Sequence, residues 1–426
     1  LLMSLAAVPI YLLARRLSLS AGYALACAGF ALLIPDLVYA SYTLADPVAY
    51  PFALGAFAAG VAALDRPTRR RQLLFIALAL LATFARAQYV VLPAAFVVAA
   101  FAVDRRRAFR SQRLPLVLFG LPVLGAIALG PTHILGYYSR VVHLHVGGAL
   151  FRWGAIDLLL LAIATGVVLV PGALAALVRP HGRGETAFAA FTAVFGAGVL
   201  LEAALYASNG SDRFQERHLF SLLPLVPVAF GLYLKHGRPF RLPIALFSAG
   251  LLLLSARLPV SGYAEALGKT DSPFLFAVFR LERMVGTANG SLIVAAIAAV
   301  GALGAIAVSR GVGARVAVGG ALAFAALASL GAIVNDASNA QEIRHDYLPA
   351  NPSWVDASGL RDVTLVQTVG SPPERAVEQL YWNRSIEHEA LLGDAHPTDV
   401  YAVQRIRVAA DGTLGKVKGN LLVQGF

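Results

Sequence analysis

Long apolar runs recur along the first four-fifths of the chain, separated by short polar or basic turns. They fall at 1–14, 21–44, 47–64, 72–87, 88–103, 114–131, 154–178, 186–207, 218–234, 241–258, 291–308 and 316–334. A helix needs about 20 mostly apolar residues to cross a bilayer. The pattern predicts an all-α polytopic membrane domain over 1–334 with about twelve spans. The first run is short and predicts the remainder of a span that begins before Leu1. The runs at 72–87 and 88–103 are also short, which fits a tilted or partly re-entrant hairpin.

Beyond residue 334 the pattern changes to mixed polar sequence. Val363–Val369 alternates like a strand, and Pro372–Trp382 reads as a helix with proline at its start. The segments 400–408 and 413–423 flank Ala409-Ala-Asp-Gly412, a hairpin signal. These features predict a small α+β domain over 335–426.

Composition agrees with the pattern. The chain of 426 residues is 58% hydrophobic and 14% charged, against about 25% charged in soluble domains. Its single cysteine, Cys27, excludes a disulfide framework and a cysteine-based metal site. The formal charge of +11 does not point to nucleic acid, because the basic residues cluster in short turns between apolar runs. One set of alternate turns holds Arg15-Arg16, Arg69-Arg70-Arg71, Arg105-Arg106-Arg107, Arg179, Arg183, Lys235, Arg238, Arg310 and Arg315. With its neighbours, that set carries twice the Lys and Arg of the other. The positive-inside rule places it in the cytoplasm. The remaining loops and the C-terminal domain then face outward from a multi-pass plasma-membrane protein.

The outer loops hold most of the polar residues suited to chemistry. The first group is Asp36, Tyr39, Tyr42 and Asp46, between Pro35 and Pro47. A carboxylate at a helix centre costs about 2.5–3.5 kcal/mol on insertion scales, so one at a helix mouth calls for a reason. Asp46 before Pro47 also has the form of a helix cap, and the two readings stand side by side. The second group is Thr83-Phe-Ala-Arg86-Ala-Gln88-Tyr89. Arg86 suits a lipid phosphate, or simply snorkels to the surface. The third is Tyr137-Tyr138-Ser-Arg140-Val-Val-His143-Leu-His145. Two histidines without a close carboxylate are a weak metal signal, and an interfacial segment with aromatic anchors explains them as well. The fourth is Asp212-Arg213-Phe-Gln-Glu216-Arg217-His218, where acid and base meet the start of an apolar run. Phosphate loops, dinucleotide fingerprints and the zinc-protease and serine-hydrolase motifs are absent from the sequence.

Several stretches resemble the membrane-embedded glycosyltransferases of the GT-C superfamily, which include the protein O-mannosyltransferases and the lipid A aminoarabinose transferases. The stretches are Leu44-Ala-Asp-Pro-Val-Ala-Tyr-Pro51, Thr83-Phe-Ala-Arg-Ala-Gln-Tyr89 and Glu216-Arg-His-Leu-Phe-Ser-Leu-Leu-Pro224. The chain also looks like a large actinobacterial group of that superfamily, whose tails carry echoes of Trp354-Val-Asp356 and Trp382-Asn-Arg-Ser385. The resemblance implies transfer of a sugar from a polyprenyl-phosphate donor to a glycan, lipid or protein acceptor of the cell envelope. It leaves the cofactor open, with Mg2+ or Mn2+ as candidates. It implies that the family's main catalytic acid lies upstream of Leu1 and that Asp46 matches a second, supporting acid. It also implies donor-phosphate contacts at Arg86, Glu216 and Arg217. Asp36, Tyr39, Tyr42, Gln88, Tyr138, Arg140 and His143 complete the expected substrate-binding set. A transporter or flippase of a lipid-linked glycan is the competing class. It ranks second because the charges gather at one face and no inverted repeat is evident.

Overall fold

Proline and small polar side chains set where the helices start and stop. In a computed structural model, Ser20 and Thr68 accept hydrogen bonds from the amides of Tyr23 and Arg71, three residues ahead, and so open two helices. Ile34, the residue before Pro35, is extended and closes the first of these. The structure describes residues 2–41, 45–129, 146–211, 216–238, 241–263, 272–286, 289–346, 350–367, 373–392, 403–406 and 420–423. The chain divides into two units, Leu1–Asp336 and Ala337–Phe426.

The helices of the first unit are α1 (Ala7–Arg16), α2 (Ala21–Leu33), α3 (Asp46–Asp65), α4 (Arg69–Ala85), α5 (Val91–Asp104), α6 (Arg113–Leu129) and α7 (Gly148–Ala164). They continue with α8 (Val170–Val178), α9 (Gly182–Tyr206), α10 (Leu225–Lys235), α11 (Arg241–Arg257), α12 (Pro273–Val285), α13 (Gly290–Ser309) and α14 (Ala314–Asp346). Among the described residues five helical segments are long and apolar enough to cross a membrane: Asp46–Asp65, Ala87–Ser111, Gly182–Asn209, Gly290–Ser309 and Ala314–Gln341. This is a helical membrane protein. Among the described residues each predicted apolar run contains helix, but several of these helices are shorter than a full crossing, and the run 218–234 is helical in the main from Leu225. The run at 154–178 is not one helix. It breaks between α7 and α8 at Gly166, whose φ of +74° interrupts the helical path.

The bundle is centred on α3, which packs against α1, α4 and α9. Phe57 of α3 stacks on Phe191 of α9, with ring centroids 4.6 Å apart and planes 8° apart. Phe75 of α4 stacks on Phe96 of α5 at 4.2 Å. Glycine permits the closest approach. A Cβ at Gly60 would lie 2.4 Å from the Phe191 ring, the small-residue contact by which helices pack in lipid.

Basic and amide side chains tie one end of the bundle together. Arg16 reaches Asp65 at 2.8 Å, Arg183 reaches Asp104 at 2.5 Å, and Lys235 reaches Glu185 at 2.9 Å. Gln72 and Gln112 bond each other at 3.0 Å, and Gln112 also donates to the carbonyl of Ala63. Gly311, in the α13–α14 turn, lies beside the guanidinium of Arg238. The alternate basic turns thus share one end of the bundle.

The second unit carries a four-stranded sheet, β1 (Val363–Gln367), β2 (Ile386–Leu392), β3 (Val403–Ile406) and β4 (Asn420–Val423), in the order β3-β2-β1-β4. Every pairing is parallel. Helix α15 (Pro373–Trp382) joins β1 to β2, and Val355, Val363, Leu365, Ala376, Leu380 and Ile386 form a core. The expected hairpin between 400–408 and 413–423 is not formed, because β3 and β4 lie on opposite edges of the sheet. Each gains more by pairing with an already buried central strand than with its neighbour in sequence. The layout is therefore an α/β crossover and not the α+β arrangement expected. The motif residues of this unit are structural. Asp356 accepts from the Ser385 amide at 2.9 Å, and Asn383 accepts from the Val355 amide at 3.0 Å. Asn383 is fully buried, so its Asn-Arg-Ser sequon is closed to modification in the folded domain.

Candidate functional site

The end of the bundle opposite the basic turns is set by where α3 begins. A 20-residue helix is about 30 Å long, the thickness of a bilayer core. Asp46 is its first residue and Asp65 its last, so the two lie at opposite faces of such a core. Ala45 stands in the cap position, and the Asp46 carboxylate is taken instead by Arg86. The cap reading of Asp46 is thereby replaced by an ion pair between the start of α3 and the end of α4.

Arg86 is held in place by three partners. One guanidinium nitrogen bonds Asp46 and the carbonyl of Arg217, the latter at 3.1 Å. The other lies 3.4 Å from Nδ1 of His218. Gln88 donates to the carbonyl of His218 at 2.8 Å. The short helical turns at Ala87–Val90 and Glu216–His218 are thus clamped together. Arg217 lies close enough to act electrostatically on Asp46. The Arg86–Asp46 pair is almost dry, with side-chain exposures of 13% and 3%. In a medium of low dielectric such a pair needs further hydrogen bonds to offset desolvation, and the two carbonyl-rich turns supply them.

Beside this pair lie two more carboxyls. Asp36 is fully buried on the short helical turn Pro35–Ser41 and faces Glu216. Among the described residues no other side chain is bonded to either Asp36 oxygen. Glu216 accepts from the Ser272 hydroxyl and from the Phe274 amide, the latter at 3.0 Å, and so fastens the start of α12. Burial pushes the Glu216 carboxyl up to about 7, which suits a pair of adjacent carboxyls holding one proton between them.

The structure therefore brings Asp36, Asp46, Arg86, Gln88, Glu216 and Arg217 to one end of the bundle. Tyr39, buried on the Asp36 turn, joins them. Tyr42, Tyr138, Arg140 and His143 lie outside the described residues. Glu216 turns to the start of α12, and the backbone carbonyl of Arg217 accepts from Arg86. Tyr89, His218 and Ser221 belong to the quoted sequence stretches but were given no role of their own, and Glu202 was not singled out in the sequence at all. Glu202, within electrostatic reach of Arg86, has a buried oxygen with no partner among the described residues. An acid inside the apolar run 186–207 was the available signal. The Tyr89 hydroxyl lies beside that of Ser221.

Chemically, the cluster offers several carboxyl oxygens, two guanidinium groups and an imidazole at the edge of a hydrocarbon layer. Arg217 and His218 are only partly covered. Carboxylates can orient sugar hydroxyls or hold a divalent cation, and the two arginines and the histidine suit a phosphate. No family model, no curated protein and no solved structure matches this chain.

Proposed function

We propose that the protein is an integral membrane glycosyltransferase of GT-C type, with a site facing outward and a donor carried on polyprenyl phosphate. The observation that supports this reading most is the gathering of Asp46, Arg86 and Arg217 at one end of α3, opposite the basic turns. Three separate sequence motifs supply these residues, and the resemblance assigns all three to donor or acceptor handling. In this reading the twelve apolar runs cross the plasma membrane and the basic end lies in the cytoplasm. The C-terminal unit is then extracytoplasmic.

The reaction requires that an acceptor hydroxyl attack the anomeric carbon. The bond from that carbon to the phosphate oxygen breaks, and polyprenyl phosphate leaves with the electron pair. The hydroxyl proton passes to a carboxylate. Arg217, which is partly exposed, meets the departing phosphate, while Arg86 keeps Asp46 directed at the sugar. Mg2+ or Mn2+ would find carboxyl ligands here and would serve the same leaving group.

A photoactivatable polyprenyl phosphate tests the binding half of the proposal. Labelling of the full-length protein in native membranes should map to peptides containing Arg86 or Glu216–Pro224. It should be competed by unlabelled polyprenyl phosphate and not by the corresponding alcohol. Equal competition by the alcohol would remove the phosphate contact from the account.

A further inference from the structure

The opposite end of the bundle holds a second constellation, independent of the proposed sugar chemistry. Glu185, in the first turn of α9, is buried, and two histidines flank its carboxylate. His236, just past α10, places Nε2 at 2.9 and 3.0 Å from the two Glu185 oxygens. His181, just before α9, places Nδ1 at 3.9 Å from Oε2. All three ligand atoms lie within 4.8 Å of one another. Two ligand atoms each about 2.1 Å from a tetrahedral ion lie about 3.4 Å apart. The separations of 2.9 and 3.9 Å bracket that value; the two imidazoles are stacked with centroids 3.9 Å apart, so the half-exposed His181 ring must turn out of the stack to direct Nδ1 at the ion.

We propose that His181, Glu185 and His236 form a binding site for a divalent transition metal of the Zn2+ class. Two imidazoles and one carboxylate are a donor set that such ions favour over Mg2+ or Ca2+. Half of the His181 side chain is exposed, which leaves an entry path and room for a water as fourth ligand. The ion would fasten the start of α9 to the end of α10. At present the Lys235 ammonium does part of this work: it donates to Glu185 Oε1 at 2.9 Å and to the carbonyl of Leu17 at 3.0 Å. A metal ion and this ammonium compete for the same carboxylate. Lys235 retains the Leu17 carbonyl when the metal enters.

Purified, tag-free protein, stripped with chelator and titrated with Co2+, tests this. The wild type should develop the visible bands of four-coordinate Co2+ and be displaced by Zn2+. His181→Ala should weaken binding by at least about tenfold, since even the partners of metal ligands are worth about 10–100-fold. His181 is half exposed, so this variant should keep the elution profile and helical content of the wild type. Lys235→Met should bind Co2+ more tightly, because it removes the competing cation. Absence of the bands in the wild type would overturn the proposal. So would bands of undiminished affinity in His181→Ala, or a Lys235→Met variant with no gain in affinity.

Discussion

Asp46 and Arg86 hold each other, and neither is left much contact with solvent. Removing one member of such a pair strands the other, at a cost of about 3–5 kcal/mol, whereas removing both costs much less. Asp46→Asn and Arg86→Met should each lower the unfolding midpoint in detergent. The double variant should lose clearly less than the sum of the two. Additive losses would show that the pair is not coupled. Glu216 makes a different prediction. Its carboxyl sits at about 7 in the folded protein against an ordinary value near 4.5. The folded state therefore holds this proton more tightly than the unfolded state. Because Glu216 shares its proton with the facing Asp36, the stability of the pair is complete at low pH and is lost as pH rises above the ordinary carboxylate range. Glu216→Gln should flatten the pH dependence of stability across that window. An unchanged slope would assign the dependence elsewhere.

The helices themselves were largely legible, because lipid leaves the backbone no choice but internal hydrogen bonding. Among the described residues the apolar runs therefore contain helix. What periodicity could not show was where a run is interrupted. Gly166 breaks 154–178 through its backbone angle, a fact of conformation and not of hydrophobicity. The strand pairing was likewise hidden. Β-sheet order depends on contacts distant in sequence, and the local turn signal at Asp411-Gly412 carries no information about β1 or β2. Strand β2 was missed because Glu387 and Glu389 give it a polar appearance, although Glu389 is buried and bonded to Gln367. Packing yields a prediction at this scale. Gly60→Leu should wedge α3 from α9 against Phe191 and cost about 1–3 kcal/mol or more, read as a lower unfolding midpoint. Gly55→Ala, whose nearest neighbour would be the flexible Leu78 side chain at 3.5 Å, should be nearly silent. Equal effects would contradict the close approach at Gly60.

The whole molecule is polarised along its helices. One end gathers the arginines and lysines of the alternate turns, and the other gathers buried acids around Arg86. The candidate site was legible as separate motifs, since an acid or arginine at the mouth of an apolar run stands out in sequence. Their convergence was not legible, because Asp46, Arg86 and Arg217 meet only through the packing of α3, α4 and the turn before α10. The proposed orientation in the membrane, with the basic turns in the cytoplasm, makes its own prediction. A membrane-impermeant maleimide applied to intact cells should label Ala357→Cys. It should reach Arg106→Cys only after permeabilisation, with native Cys27 buried and silent. The reverse pattern would contradict the proposed sides of the C-terminal unit and of the basic turns. The central claim is sugar transfer at that end, and its most direct measurement is turnover of a polyprenyl-phosphate-linked sugar by the full-length protein in sealed vesicles. The wild type should release polyprenyl phosphate and glycosylate an envelope acceptor, and Asp46→Asn, folded and inserted to the same level, should lose about a hundredfold or more of that rate, the lower end of the range typical for a positioned acid–base group. Undiminished transfer by Asp46→Asn, or movement of the intact lipid-linked sugar across the bilayer without its cleavage, would contradict the account.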